Sequence, residues 1–193
     1  MTILKIFGFP PSTYTQSAIL TAEEVGVPYE LAPLEFKEAS HLARHPYGKM
    51  PAMEHGSVKL YETLAIMAYL DRELGDSKLT PNKPLGYATM LMWSSVGIDY
   101  AYRSLVSSLH GDEVAAQDAT QAAEQLKLLD AGLGKQAFFC GDSVSLADFL
   151  LFPMVRFALN KLGETKPAGL PALMTWQSRI SERESARRLE KIG

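Results

Sequence analysis

The most informative stretch of the chain is ILKIFGFPPSTYTQSAILTAEEVGVPYELAP, residues 3–33. Its opening apolar run is closed by a Gly-Phe-Pro-Pro segment, a pattern typical of a buried strand followed by a turn. Ser12 then occupies an N-cap position, and apolar residues recur at spacings of three and four as far as Val25. A second β-like run covers residues 27–33. The stretch therefore predicts a βαβ unit with two parallel strands.

Four more elements are predicted before the chain reaches residue 75. A short helix is expected within residues 37–44. Residues 50–54 and 57–61 flank His55-Gly56, a two-residue turn typical of a hairpin. A longer helix should begin at Glu62-Thr63, because apolar residues again recur at helical spacing as far as a glycine. The predicted order is βαβ, helix, ββ, helix.

The pattern changes after residue 75. Residues 76–84 carry the turn-forming and helix-breaking residues of a linker, and everything beyond them shows helical periodicity. One continuous helix is predicted from a stripe that steps by four and three: Leu91, Ser95, Ile98, Tyr102, Leu105 and Leu109. A second helix spans residues 119–133, and a third begins at a capping box formed by Ser145 and Asp148. Two shorter helices follow.

These patterns together predict an α/β domain followed by an all-α domain. We expect the α/β domain in residues 1–75, a linker in residues 76–84 and a helical bundle in residues 85–193. A chain of 193 residues is long enough for two small domains. Its 47 % apolar and 21 % charged residues are ordinary for a folded protein with a core.

Charge and cysteine content narrow the possible functions. Nineteen basic residues against 22 acidic ones give a net charge of −3, which argues against a nucleic-acid partner. No apolar run approaches the roughly 18 residues that span a bilayer, and the first residues lack the pattern of a secretory signal. The single cysteine, Cys140, fits a reducing compartment. We therefore expect a cytoplasmic protein with no membrane partner and no metal site.

Four short motifs in this order resemble the cytosolic glutathione S-transferase family. They are the turn of residues 8–13, Gly48-Lys49-Met50-Pro51-Ala52, Tyr61-Glu62-Thr63 and the cap of residues 141–148. The resemblance implies a thioredoxin-like domain that binds glutathione, an all-helical domain, and a hydrophobic electrophile pocket between them. The turn is most similar to the serine-using forms, namely the plant phi class and related bacterial proteins. The resemblance also implies a homodimer and no permanently bound cofactor, with reduced glutathione as co-substrate.

The resemblance assigns the catalytic role to Ser12. The thiol of glutathione has an ordinary pKa near ~8.5, so little of it is thiolate at neutral pH. A hydroxyl that donates to sulfur and the positive end of a helix dipole both favour the charged form, and Ser12 could supply both. Ser12 could instead serve only as the helix N-cap. Thr13 is the alternative hydroxyl, whereas Tyr14 falls inside the helix.

The other glutathione contacts are also implied by the resemblance. Met50-Pro51 matches the family's cis-proline step, in which the backbone before proline pairs with the cysteinyl part of glutathione; a trans proline opening a strand is the alternative. Glu62 would bind the ammonium of the γ-glutamyl end, and Thr63 its carboxylate, although both could simply begin a helix. Lys37 and Lys49 would contact the glycyl carboxylate, or be ordinary surface lysines. Phe36 stands where a histidine is frequent.

The electrophile is expected to contact Pro11, Tyr100 and Arg103. Conjugation of the glutathione thiolate to a small hydrophobic electrophile is the predicted reaction. A glutathione-dependent peroxidase, dehalogenase or isomerase on the same site is one alternative, and a non-catalytic binding module with the same fold is another. Cys140 is expected to be a buried structural thiol.

Overall fold

A computed structural model describes residues 3–192, which form two compact units. The first unit contains residues 3–80 together with residues 184–192, and the second contains residues 81–183. The last helix of the chain therefore groups with the first unit, whereas the sequence pattern placed it in the helical domain. None of the helices in residues 3–192 is long and apolar enough to cross a membrane.

The first unit is a four-stranded sheet with helices. Its elements are β1 (Leu4–Phe7), α1 (Thr13–Val25), β2 (Tyr29–Ala32), α2 (Ala39–Arg44), β3 (Ala52–His55), β4 (Val58–Tyr61), α3 (Thr63–Glu73) and α8 (Glu184–Glu190). The strand order is β2-β1-β3-β4, with β1 parallel to β2 and the other two pairs antiparallel. The predicted order βαβ, helix, ββ, helix and the parallel first pair are confirmed.

The core of the first unit is assembled from the faces that the apolar periodicity predicted. Buried side chains from β1, α1, β3 and α3 fill it: Leu4, Ile6, Ile19, Leu20, Met53, Ile66, Met67 and Leu70. Helix α1 ends at Gly26, which adopts a left-handed conformation with φ of 79° and donates to the Ala22 carbonyl. This arrangement is the expected glycine stop of a helix.

The hairpin turn differs by one residue from the prediction. His55 pairs with Val58 across the β3–β4 ladder, so the two connecting residues are Gly56 and Ser57 rather than His55 and Gly56. Gly56 has a φ of 60°, which is a left-handed conformation that glycine adopts without steric cost. The glycine therefore takes the first position of the turn, and His55 remains in the strand.

Helices alone, and no strands, make up the regular secondary structure of the second unit, within the described residues. It contains α4 (Pro84–Val96), two π-helical segments (Gly97–Ala101 and Arg103–Ser107), α5 (Ala116–Leu133), α6 (Leu146–Leu162) and α7 (Pro171–Ser181), with a short 3₁₀ turn after α6. Large aromatic side chains are fully buried in this unit: Phe139, Phe149, Phe152 and Trp176. The predicted all-α architecture is confirmed.

The predicted buried face of α4 and of the π-helical segments that follow it is wrong in its N-terminal half. Leu91 and Ile98 are exposed, whereas the neighbouring face carrying Ser94, Gly97 and Ala101 is buried. The reason is close packing against α6: a methyl group at Gly97 would lie 3.1 Å from Leu150 Cδ2. Small residues allow this close approach, and they do not appear in a pattern of large apolar side chains. The π-helical turns then change the spacing on which the predicted stripe depended.

Candidate functional site

Ser12 caps the first helix, as the sequence predicted. Its backbone is extended, and its Oγ accepts a hydrogen bond of 3.3 Å from the Thr15 amide. The preceding turn is fixed by the Ser12 amide, which donates to the Phe9 carbonyl at 3.0 Å, and by Gln16 Nε2, which donates to the Pro10 carbonyl at 2.8 Å. Because Ser12 Oγ acts as an acceptor in the cap, its own proton can still be donated. Capping and donation to a ligand are therefore compatible.

Thr13 supplies a second hydroxyl at the same helix end. It is 4 % exposed, and among the described residues its Oγ1 has no hydrogen-bond partner. The amide of Thr13 also lies in the first helical turn, where no intrahelical acceptor exists. A buried hydroxyl without a partner lowers the stability of the fold, and a bound ligand could supply that partner. Thr13 therefore stays the alternative hydroxyl donor to the glutathione sulfur. Tyr14 lies inside α1, as expected.

The Met50-Pro51 peptide bond is cis, which confirms the expectation. Pro51 is buried and directly precedes β3. Met50 is partly buried and packs against the small apolar cluster of Phe7, Ala32, Leu34 and Ala52. The backbone of Met50 lies outside the paired part of β3, so the sheet ladder does not use its polar groups.

Glu62 and Thr63 form the start of α3. Glu62 is the N-cap residue with φ of 70°, and its side chain makes no capping hydrogen bond. The Glu62 side chain is 67 % exposed, whereas Thr63 is buried. The Glu62 carboxylate therefore does not cap the amides in the first turn of α3. They remain at the positive end of the helix dipole, which favours an anion.

His45 lies beside Glu62. The distance from His45 Nε2 to Glu62 Oε1 is 4.0 Å, and the imidazole is only 2 % exposed. Burial lowers the pKa of His45 below its ordinary value, and the nearby Glu62 carboxylate opposes that effect only in part. The imidazole is therefore neutral at physiological pH and does not compensate the charge of Glu62.

Lys37 and Lys49 are exposed, and a third residue connects their main chains. His41 Nδ1 accepts from the Lys37 amide at 2.9 Å, and His41 Nε2 lies 2.7 Å from the Lys49 carbonyl. Lys37 has a left-handed φ of 67°. His41 was not among the predicted site residues, because nothing in the sequence pattern marks a side chain that bonds to the main chains of two lysines.

The strand register brings these segments to one edge of the sheet. Phe7, the last residue of β1, pairs with Ala32, the last residue of β2, and with Ala52, the first residue of β3. Ala52 in turn pairs with Tyr61, the last residue of β4. The segments that carry Ser12, Lys37, Met50-Pro51 and Glu62-Thr63 all extend from these four strand ends. The site residues predicted in the first unit therefore emerge at a common edge.

Comparison with known proteins agrees with this geometry. The family model described as "Glutathione S-transferase, N-terminal domain" matches residues 3–72, and the one described as "Glutathione S-transferase, C-terminal domain" matches residues 93–184. The chain belongs to the glutathione S-transferase family. The resemblance stated from the four motifs is thereby confirmed.

A relative and two solved structures illustrate the extent of the likeness. The probable glutathione S-transferase GSTF1 of Oryza sativa subsp. japonica is 28 % identical over 214 residues, covering 100 % of this chain and 97 % of its own length. A serine-to-cysteine variant of poplar glutathione transferase F1 superposes with a TM-score of 0.86 at 23 % identity, covering 100 % and 98 % of the two chains. A glutathione transferase homologue from Sulfitobacter, with bound glutathione, gives 0.85 at 20 % identity, covering 99 % and 98 %.

In the helical unit of this glutathione S-transferase, the residues predicted to bind the electrophile lie on the π-helical segments. Tyr100 is 63 % exposed on the first segment, and Arg103 is exposed on the second. Trp93, one to two turns before Tyr100, packs inside its unit with its ring 4.7 Å from that of Phe139. In the first unit, Pro11 is exposed in the turn before Ser12. The binding roles of Pro11, Tyr100 and Arg103 remain predictions.

The capping box of α6 has a structural role in this transferase. Asp148 Oδ2 accepts from the amide and the hydroxyl of Ser145 at 2.8 and 2.7 Å, and Asp148 Oδ1 accepts from the Phe139 amide and from Trp176 Nε1 at 3.0 and 2.8 Å. Burial raises the pKa of Asp148 even though these donors favour its carboxylate. Burial also raises the pKa of Cys140, whose Sγ lies 3.3 Å from Ser145 Oγ. Cys140 is partly exposed rather than fully buried as expected.

Proposed function

We propose that this protein is a glutathione transferase in which Ser12 stabilises the glutathione thiolate for attack on a small hydrophobic electrophile. Family membership supports the reaction class. The observation that carries the residue assignment is the geometry of Ser12: its hydroxyl accepts from Thr15, so its proton can be donated to sulfur at the positive end of α1.

The energy that this task requires is modest. Lowering the thiol pKa by about two units, from ~8.5 to ~6.5, needs roughly 2.7 kcal/mol of differential stabilisation. One hydrogen bond to a charged group contributes about 1.5–3 kcal/mol, and a helix N-terminus adds about 0.3–1 kcal/mol. The Ser12 hydroxyl and the first turn of α1 together are therefore sufficient. No metal and no permanent cofactor is needed for this step.

The remaining groups at the sheet edge suit the rest of the tripeptide. The backbone of Met50, held before cis-Pro51, would pair with the cysteinyl backbone. Glu62, whose charge His45 does not neutralise, would bind the γ-glutamyl ammonium, and Thr63 with the first turn of α3 its carboxylate. Lys37 and Lys49 would bind the glycyl carboxylate. In this arrangement opposite charges of protein and ligand face each other at both ends of the site.

We further propose a cytoplasmic homodimer that acts in detoxification. The single cysteine favours a reducing compartment. Family membership supports dimerisation, and so do large apolar side chains that α4 leaves exposed, with Leu85 at 80 %, Met92 at 52 % and Leu91 at 39 %. The electrophile is proposed to contact Pro11, Tyr100 and Arg103.

The test combines retention on immobilised glutathione with conjugation of a simple aryl halide. Ser12→Gly is the informative variant, because glycine preserves helix capping to within a few tenths of a kcal/mol while it removes the hydroxyl. Ser40→Ala, which removes an exposed hydroxyl bound to Glu35, is the matched control. We expect the parent and both variants to be retained, and only Ser12→Gly to conjugate the aryl halide more slowly.

The size of that loss can be estimated. A thiolate of higher pKa is scarcer at neutral pH but more nucleophilic, with a Brønsted coefficient of about 0.4–0.5. At pH 7, loss of the full two-unit shift would lower the thiolate fraction about 25-fold and raise its nucleophilicity about six- to tenfold, so kcat/KM should fall by about two- to fourfold. Retention of the parent protein without any conjugation would favour a binding module. Unchanged turnover in Ser12→Gly would indicate that Thr13, and not Ser12, stabilises the thiolate.

A further inference from the structure

His41 occupies an unusual position in α2. Its side chain is completely buried, and both ring nitrogens are bound to main-chain atoms rather than to side chains. The Lys37 amide can only donate, so Nδ1 carries no proton, and the Lys49 carbonyl can only accept, so Nε2 carries one. The two contacts therefore require a neutral imidazole with its proton on Nε2.

The same ring connects two segments that are twelve positions apart in the sequence. Lys37 adopts a left-handed φ of 67°, a conformation unfavourable for a residue with a side chain, and the hydrogen bond from its amide to His41 stabilises it. Lys49 directly precedes the cis Met50-Pro51 step. The imidazole is itself held in place by stacking on Phe36, with 5.4 Å between ring centroids and 28° between the planes.

We infer that His41 is a positioning residue for recognition of the glycyl carboxylate of glutathione. By fixing the main chains of Lys37 and Lys49 relative to each other, it prepares two ammonium groups to bind one carboxylate without ordering two separate loops at the moment of binding. His41 itself touches no substrate. This inference rests on the proposed function, because it assigns a role within that same site.

The experiment uses two thiol substrates that differ only in the glycine. Glutathione carries the glycyl carboxylate, and γ-glutamylcysteine lacks it. His41→Phe keeps an aromatic ring against Phe36 but removes both hydrogen bonds. We expect it to raise KM for glutathione about tenfold, a loss of roughly 1.4 kcal/mol of binding free energy, because the two lysines are no longer held together. KM for γ-glutamylcysteine and kcat for both thiols should stay within about twofold, on the same scale of binding energies.

Two further variants make the comparison decisive. His55→Phe is the matched control, because His55 is partly buried in the same unit and its Nδ1 lies 2.9 Å from the Tyr69 hydroxyl, away from both lysines. It should leave both KM values unchanged. His41→Gln retains one acceptor and two donors, so it should restore part of the glutathione affinity. It also serves for the comparison of the two thiols if His41→Phe does not fold.

The outcomes separate this inference from the function on which it rests. Equal increases of KM for both thiols in a folded His41 variant would mean a merely structural role, and no increase for either would mean no role at all; both overturn the inference. Failure of the parent protein to use or bind either thiol would instead overturn the proposed function.

Discussion

Asp148 gives the sharpest stability prediction, because four hydrogen bonds converge on one buried carboxylate. Asp148→Asn replaces one of the two acceptor oxygens by an amide donor. With the amide oxygen in the place of Oδ1, the bonds from Phe139 and Trp176 are kept, and the Ser145 amide is left facing a donor. The reverse orientation would leave two donors unsatisfied, so the first is preferred.

The cost follows from counting these groups. One buried unsatisfied amide costs about 1–3 kcal/mol, and the retained bonds lose their charge assistance, so Asp148→Asn should lower the free energy of unfolding by about 2–4 kcal/mol. Asp148→Ala leaves the Phe139, Ser145 and Trp176 donors without an acceptor. It should cost on the order of 5 kcal/mol, which is comparable with the whole stability of a small protein.

Urea unfolding followed by tryptophan fluorescence is the appropriate assay. The only two tryptophans of the sequence, Trp93 and Trp176, both belong to the second unit, so their emission follows that unit. Asp142→Asn, an exposed neighbour in the same turn, should change the unfolding free energy by less than about 0.5 kcal/mol. If Asp148→Asn costs no more than this control, the reasoning from the hydrogen-bond count is refuted.

Two more predictions concern the first unit. Burial lowers the pKa of His45 from 6.5, so the folded state binds fewer protons than the unfolded one. The free energy of unfolding should therefore fall as the pH decreases below about 6.5. Thermal melts at pH 7 and pH 5 should show a smaller loss of stability for His45→Asn than for the parent, and an equal loss would contradict the assignment to His45. Gly8→Ala should cost about 1–3 kcal/mol, because its methyl carbon would lie 2.3 Å from Thr15 Oγ1. Gly56→Ala isolates the effect of backbone strain, because φ there is 60° and none of the described atoms would lie within 4 Å of the added methyl carbon. An equal loss of unfolding free energy at both glycines would argue against overpacking at Gly8.

The elements of the first unit could be predicted from local sequence because each carries its own signals. Helix α1 has an N-cap at Ser12, apolar residues at helical spacing and a glycine stop, and the strands are short apolar runs bounded by turn residues. The convergence of Ser12, Met50-Pro51 and Glu62-Thr63 was expected only from the family resemblance, and the strand register is what brings these segments to one edge.

Three features could not be predicted from the sequence, because each depends on contacts that form only in the folded chain. The buried face of α4 is lined by Ser94 and Gly97, and it is recognisable only when α6 is seen against it. Helix α8 joins the first unit by packing on α1, where the Ser185 hydroxyl donates to Glu24. His41 bonds to backbone atoms of Lys37 and Lys49, and main-chain partners leave no pattern in the sequence.

In the proposed mechanism, Ser12 stabilises the thiolate of bound glutathione. The most direct test is to titrate the thiolate absorbance of the glutathione complex against pH, in the parent protein and in Ser12→Gly. We predict a thiol pKa near ~6.5 in the parent complex and a return most of the way to ~8.5 in the variant, with glutathione still bound. A parent complex whose thiol titrates at about 8.5, as it does in water, would contradict the account.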